Sequence, residues 1–254
     1  MAQFRTTFDL PSSPFSIRLN TPVLSLGSYF ANTMGLRLQQ NKFQALINPF
    51  GVIFNPLSIY KLLQNSISPT EVRGEDLVQS QGMWYHYDVH SKLWADDPAV
   101  LQDKIQQQVQ STHQFLQSTK VLILTFGTAY GYFLKNNQQL VANCHKVPQH
   151  FFEKRLLTVE EITQGFDNLY NQLQEIAPDL KIILTVSPVR HIKDTIPANQ
   201  VSKSILRVAC HQITEQFNEV MYFPAYELLL DDLRDYRFFG TDMIHPNSIA
   251  EDYI

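Results

Sequence analysis

Two short segments, far apart in the chain, carry side chains suited to acyl chemistry. The first is Gly27-Ser28, which follows the apolar run Val23–Leu26 and precedes a helical pattern over Tyr29–Gln39. A serine there sits at a helix N-terminus, where free N–H groups and the helix dipole can stabilise a developing oxyanion. Such a serine can equally be only an N-cap, a common use of the residue. The second segment is Asp242-Met243-Ile244-His245-Pro246. Pro246 disfavours helix at His245, so the imidazole belongs to a loop. An Asp three residues earlier can turn back and accept the imidazole Nδ1–H, which fixes the tautomer and stabilises the imidazolium.

Other polar residues cluster in predicted loops. His145 lies in Asn143-Cys144-His145-Lys146, and Arg190 and His191 close Ser187-Pro188-Val189-Arg190-His191. A guanidinium at a strand end suits a carboxylate or phosphate on a substrate, and suits a structural acid equally well. His86 and His90 are four apart, a spacing that would share one helix face. A zinc site needs three or four ligands and the others are missing from the pattern, so no metal site is expected. Trp84 and Tyr85 are candidates for a substrate wall.

The elements that must position these groups alternate along the chain. Val23–Gly27, Val121–Phe126, Lys181–Ser187 and Val220–Phe223 read as buried strands. Between them lie helical patterns. Asp97–Ser118 opens on Asp-Pro, and Thr158–Ile176 opens on a capping box from Thr158 to Glu161. A third helix is predicted over Gln200–Phe217, with an inward stripe Val201, Ile205, Val208 and Ile213. The Glu227–Asp235 stretch reads as an amphipathic helix with Leu228, Leu229 and Leu233 inward, and Pro246 as the first residue of a last helix. Strands alternating with helices of this length predict a parallel, doubly wound α/β sheet, with chemistry beyond the carboxyl ends of its strands.

Composition narrows the function classes. The chain has 254 residues, is 44% hydrophobic and 17% charged, and carries a net charge of −4. That is a globular composition without the basic surplus of a phosphate-neutralising nucleic-acid binder. No apolar run approaches the roughly 18 residues needed to span a bilayer. Residues 1–16 lack a basic patch followed by an apolar stretch, which predicts no leader and a cytoplasmic location. The two cysteines form no CxxC and predict no disulfide scaffold. No Gly/Ser linker divides the chain, so one domain over 1–254 is expected, with a polar insertion around 65–95. The last helical pattern has no C-terminal cap at Ile254, so the natural chain is expected to continue.

Gly27-Ser28-Tyr29-Phe30-Ala31 resembles the signature of the GSCFA family, with Tyr29 where the family name has Cys. Asn48-Pro49-Phe50-Gly51, Phe126-Gly127-Thr128-Ala129, the Cys144 and Arg190 segments, and Asp242 to Pro246 resemble the same family in order. That family is grouped with the SGNH, or GDSL-like, hydrolases. The resemblance implies a flavodoxin-like three-layer α/β/α sandwich and ester or acyl substrates without a cofactor. It implies Ser28 as nucleophile, His245 as base and Asp242 as orienter. For the oxyanion hole it implies the Ser28 N–H, a Gly for which Gly51 is the candidate, and an Asn after the Val121–Phe126 strand. No Asn stands there, so Thr128, Asn143 or Asn48 would have to serve. Asn48, His145, Arg190 and His191 are the candidate substrate contacts. The expected reaction is hydrolysis of an ester, with O-acetyl carbohydrate as the preferred class and a small molecule or carbohydrate as partner. Transfer to another alcohol, or binding without turnover, are the alternatives.

Overall fold

The computed structural model describes residues 9–10 and 12–254. The reading of residues 1–16 as leaderless therefore falls largely outside the described residues. In chain order the elements are β1 (Val23–Gly27), α1 (Tyr29–Gln40), β2 (Ala45–Ile47) and α2 (Pro56–Ile67). A hairpin follows, β3 (Leu77–Ser80) and β4 (Met83–His86), then α3 (Pro98–Ser118) and β5 (Val121–Phe126). Three short strands come next: β6 (Tyr130–Leu134), β7 (Leu140–Val141) and β8 (Phe152–Leu156). Then come α4 (Val159–Ile176), β9 (Lys181–Val186), α5 (Ile196–Gln216) and β10 (Val220–Tyr222). A short α6 (Ala225–Glu227) runs into a π-helical turn over Leu228–Leu233, and α7 (Ser248–Tyr253) comes last.

The central sheet runs β10-β9-β5-β1-β2, and every pairing in it is parallel. This is the flavodoxin-like order, in which the chain winds one way from β1 to β2 and the other way from β5 onward. The switch lies between β1 and β5, where Gly27 pairs with Thr125. A crevice must open beyond the carboxyl ends there, because the connections leave in opposite directions.

Alternation of side chains builds the two faces. Leu24, Leu26, Leu122, Leu124, Ile182 and Leu184 join Ile59 and Leu63 of α2 and Phe166 of α4 in the main core. On the other face α1 packs over β1 and β2, and a trough of about 550 Å³ stays open beside it, floored by Ile123, Thr125, Ile183 and Met221. The result is a three-layer α/β/α sandwich. The β3–β4 hairpin and the antiparallel β7-β6-β8 sheet are additions to that frame.

Local signals explain most element starts. Asp97 accepts from the Ala99 and Val100 amides at the head of α3. Thr158 and Glu161 form both halves of the capping box, and Ile162, Phe166, Leu169 and Leu173 are all fully buried. Losing such a cap typically costs about 1 kcal/mol. Leu228, Leu229 and Leu233 do face inward, on a π-helical turn.

Three expectations need correction. The inward stripe of α5 is Ser202, Lys203, Leu206, Ala209, Cys210 and Ile213, whereas Val201 and Val208 are exposed. The helix is rotated because Ser202 and Lys203 hydrogen-bond strand-end groups beneath it. His86 and His90 do not share a helix: His86 ends β4 and His90 lies in the loop after it. The last helix begins at Ser248, capped by the Asn247 side chain, because Pro246 bridges to Phe239 instead.

Candidate active site

The end of β1 carries the serine. Gly27 has φ +142°, and a Cβ there would come within 2.1 Å of the Thr125 carbonyl oxygen, so only glycine lets β1 end this close to β5. Ser28 follows as the N-cap of α1, in extended conformation, and its N–H donates to that same Thr125 oxygen at 3.0 Å. Its side chain does not cap the helix. Ser28 is 1% exposed and its Oγ has no hydrogen-bond partner. A buried, unpaired hydroxyl costs about 1–3 kcal/mol, so stability does not explain it.

The Asp242–His245 turn is fully built. Asp242 Oδ1 accepts from the Ile244 and His245 amides at 2.9 and 3.0 Å, and Oδ2 accepts the His245 Nδ1–H at 2.6 Å. The Gly240 amide donates to the His245 carbonyl at 2.8 Å and closes the loop. These bonds favour the carboxylate, the imidazole bond most of all, and hold Asp242 down to about 2. With Nδ1 spent on Asp242, Nε2 is the nitrogen left to take a proton.

Packing brings this turn to the head of α1. The His245 ring meets the ring of Tyr29, the residue after Ser28, edge to face with centroids 5.2 Å apart. Ile244 packs in one cluster with Phe30 and Val189. The Asp242–His245 bond is therefore made, and a Ser28–His245 bond is not. Ser28 is covered while the His245 side chain is 40% exposed.

Three of the expected oxyanion donors are already paired. The Ser28 N–H is bonded to Thr125, and the Gly51 N–H to the Asn48 carbonyl at 2.8 Å. Gly51 has φ +77°, and a Cβ there would lie 2.4 Å from the His90 Cβ, so close packing of the hairpin arm explains that glycine. The Thr128 hydroxyl pairs with the Ser202 hydroxyl at 3.0 Å. Asn143, in the loop after β7, accepts the His145 amide with its side-chain oxygen at 2.9 Å. Asn48 is different. Its Oδ1 accepts the Gly27 N–H at 2.9 Å, and its Nδ2 is buried with no acceptor. Beside Ser28, the Asn48 amide is the donor without a task.

The expected substrate contacts also separate. Arg190 donates to the Met243 carbonyl at 3.3 Å and stacks on Phe239 and Tyr236, so it braces the His245 turn. His191 lies against the Phe54 ring, and its amide donates to Asn199 Oδ1 at 2.9 Å. Burial first, then the nearby Lys203 charge, pushes His191 down to about 4. His145 is a buried strut in the hairpin arm: Ser91 Oγ meets its Nδ1 at 3.1 Å, and its Nε2 meets the His86 carbonyl at 2.8 Å.

Only one group among the described residues places metal-type ligands together. Atoms of Asp76, His86 and Asp88 lie within 4.8 Å of one another. Each already has a partner. Arg73 and Gln139 hold Asp76, Lys61 holds Asp88 at 2.7 Å, and His86 Nδ1 accepts the Asp88 amide. The group is an ion-pair network under β4. Asn199, Ser202 and Lys203 of α5 were not singled out from the sequence; the 3-4-3 spacing of 203, 206, 210 and 213 was the signal that Lys203 faces inward.

Among the described residues no helix is long and apolar enough to cross a membrane. A search of curated proteins finds no match. The family model that does match is the GSCFA family, over residues 22–254, a span that holds β1, the serine turn and the Asp242–His245 turn alike; the chain belongs to the GSCFA family.

Proposed function

We propose that the protein is a serine-dependent acyl hydrolase of the SGNH type, acting on esters, with O-acetylated carbohydrate as the favoured class. One observation carries the reading. An imidazole oriented by a carboxylate, with Nε2 unspent, sits on the helix turn that begins at a buried serine whose hydroxyl bonds to nothing. A hydroxyl with no partner gives up no hydrogen bond when it swings to the imidazole, and catalytic bonds are often long before substrate binds.

The chemistry follows from the roles. Ser28 Oγ bonds to the acyl carbon as its proton passes to His245 Nε2. Asp242 stabilises the imidazolium. The Asn48 Nδ2 and the uncapped amides at the head of α1 donate to the oxyanion. The C–O bond to the alcohol breaks, and the alkoxide leaves with the proton from His245. Water, deprotonated by the same nitrogen, then releases the acid and restores Ser28. An alcohol in place of water would make the product an ester, so transfer is the same chemistry with a different acceptor. The carbohydrate preference is fold-level analogy.

A second reading is binding without turnover. The capture of the Ser28 N–H by Thr125, together with the covered hydroxyl, favours it. Labelling with a fluorophosphonate probe separates the two. Hydrolase chemistry predicts covalent labelling of the folded protein that disappears in both Ser28→Ala and His245→Ala, and cleavage within a panel of acetylated sugars and short aryl esters. Folded protein that is never labelled, or labelling that survives both substitutions, leaves the binding reading.

A further inference from the structure

The ends of β5 and β9 rest on a buried amine. Lys203 is 2% exposed, in the second turn of α5. Its Nζ donates to the Gly127 and Ser187 carbonyls, both at 2.6 Å. Those two residues are the first beyond β5 and β9. Among the described residues Lys203 makes no ion pair, and a buried lysine without a carboxylate is costly when charged. Burial pushes its ammonium down to about 7. An apolar residue would pack this helix at lower cost, so the lysine needs another explanation.

The bonds around it close into rings that reach the candidate catalytic groups. Gly127 is held from the other side, its amide donating to the Phe54 carbonyl at 2.8 Å, and the Phe54 ring meets His191. His191 returns to α5 through Asn199. The Ser187 loop carries Arg190, whose guanidinium holds the Met243 carbonyl inside the His245 turn. Ser202, beside Lys203, fixes the Ala129 amide and the Thr128 hydroxyl.

We propose that Lys203 is a positioning residue for acyl transfer at Ser28: by tying the ends of β5 and β9 to α5, it sets the loop that holds His191 and, through Arg190, the His245 turn. The assignment rests on the hydrolase reading for its catalytic consequence, but the bracing itself does not. The charged and titratable groups acting on His191 are Lys203 from α5, Asp194 from the turn before it, Lys154 from β8, and His245. Removing the amine takes away a repelling charge and should move the His191 midpoint up, toward an ordinary imidazole.

The test compares wild type, Lys203→Met and Lys203→Gln. Met fills the volume without donors; Gln keeps two N–H donors without the charge. The first readout is saturation kinetics of fluorophosphonate labelling at Ser28. In Lys203→Met the limiting rate should fall by about 10–100-fold, as for a misplacement of roughly an ångström, with the probe's half-saturation little changed. Lys203→Gln should stay within about tenfold of wild type, because donors and not charge do the bracing. The second readout is the NMR titration of the imidazoles, which should show His191 raised in both variants. Unlabelled wild type overturns the hydrolase reading and leaves the bracing to be judged by the titration alone. A folded Lys203→Met protein with the wild-type limiting rate and an unmoved His191 overturns the assignment. If Lys203→Met does not fold, Lys203→Gln carries the same decision: a rate loss beyond about tenfold, or His191 unmoved, rejects it.

Discussion

His245 and His145 are both loop imidazoles, and the structure uses them in opposite ways. His245 gives Nδ1 to a carboxylate, keeps Nε2 unspent and stays half open to solvent. His145 engages both nitrogens with neutral groups, stacks on Tyr85 with centroids 4.9 Å apart, and is pushed down to about 4 by burial. A base needs a vacant nitrogen and an environment that tolerates the imidazolium. His145 has neither. The lesson is that loop placement does not make an imidazole functional; the partner of its second nitrogen decides.

Substitutions can break this comparison or sharpen it. The largest contrast expected is His245→Ala, which should lower ester cleavage by roughly 10⁴-fold or more, against His145→Gln, which should leave turnover of folded protein within about threefold. Equal losses measured on the same ester would erase the distinction. Asp242→Asn keeps the turn's shape but offers the imidazole the wrong partner. It should cost about 10³–10⁴ in kcat, with little change in KM, if tautomer control is the carboxylate's task. Asn48→Asp keeps the oxygen that accepts the Gly27 N–H and removes the unpaired donor. A loss of about 10²–10³ in kcat is expected, and an unchanged kcat would remove Asn48 from the oxyanion hole.

The smallest expected effect is on stability. A histidine held below its ordinary value resists protonation only when folded, so the unfolded chain binds more protons in that window. Stability should therefore be full above about pH 6.5 and fall as pH drops toward 4, with His145 and His191 both contributing. In His145→Gln that acid limb should flatten, as followed by denaturant midpoints from pH 7 to 4. A limb of unchanged slope would mean that His145 titrates normally.

Much of the frame was legible because its signals are local. The β5 run Val121–Phe126 is apolar on both faces and could only be a covered strand, and Thr158 with Glu161 marks a helix start within four residues. The Asp242–His245 bond was readable for the same reason, since three residues of separation put both groups in one turn. The oxyanion donors were not. Gly51, Thr128 and Asn143 each carry a suitable N–H or hydroxyl, and no pattern in the sequence says what each one meets: the Gly51 N–H is taken locally by the Asn48 carbonyl, while Ser202, 74 positions away, takes the Thr128 hydroxyl. The Arg190 bond to the Met243 carbonyl was not readable for the same reason, because its partner lies 53 positions away.

By itself the sequence determined the parallel α/β frame, the two turns that carry Ser28, Asp242 and His245, and the family. Periodicity, caps and short-range turns are written into neighbouring residues, and those fix elements before any element meets another. Tertiary structure alone decided that the His245 ring lies on Tyr29, that Asn48 is the donor left over, and that a lysine on α5 lies beneath the crevice. Those outcomes depend on which buried polar group finds which partner across the fold, and pairing at such distances is settled only when the layers pack.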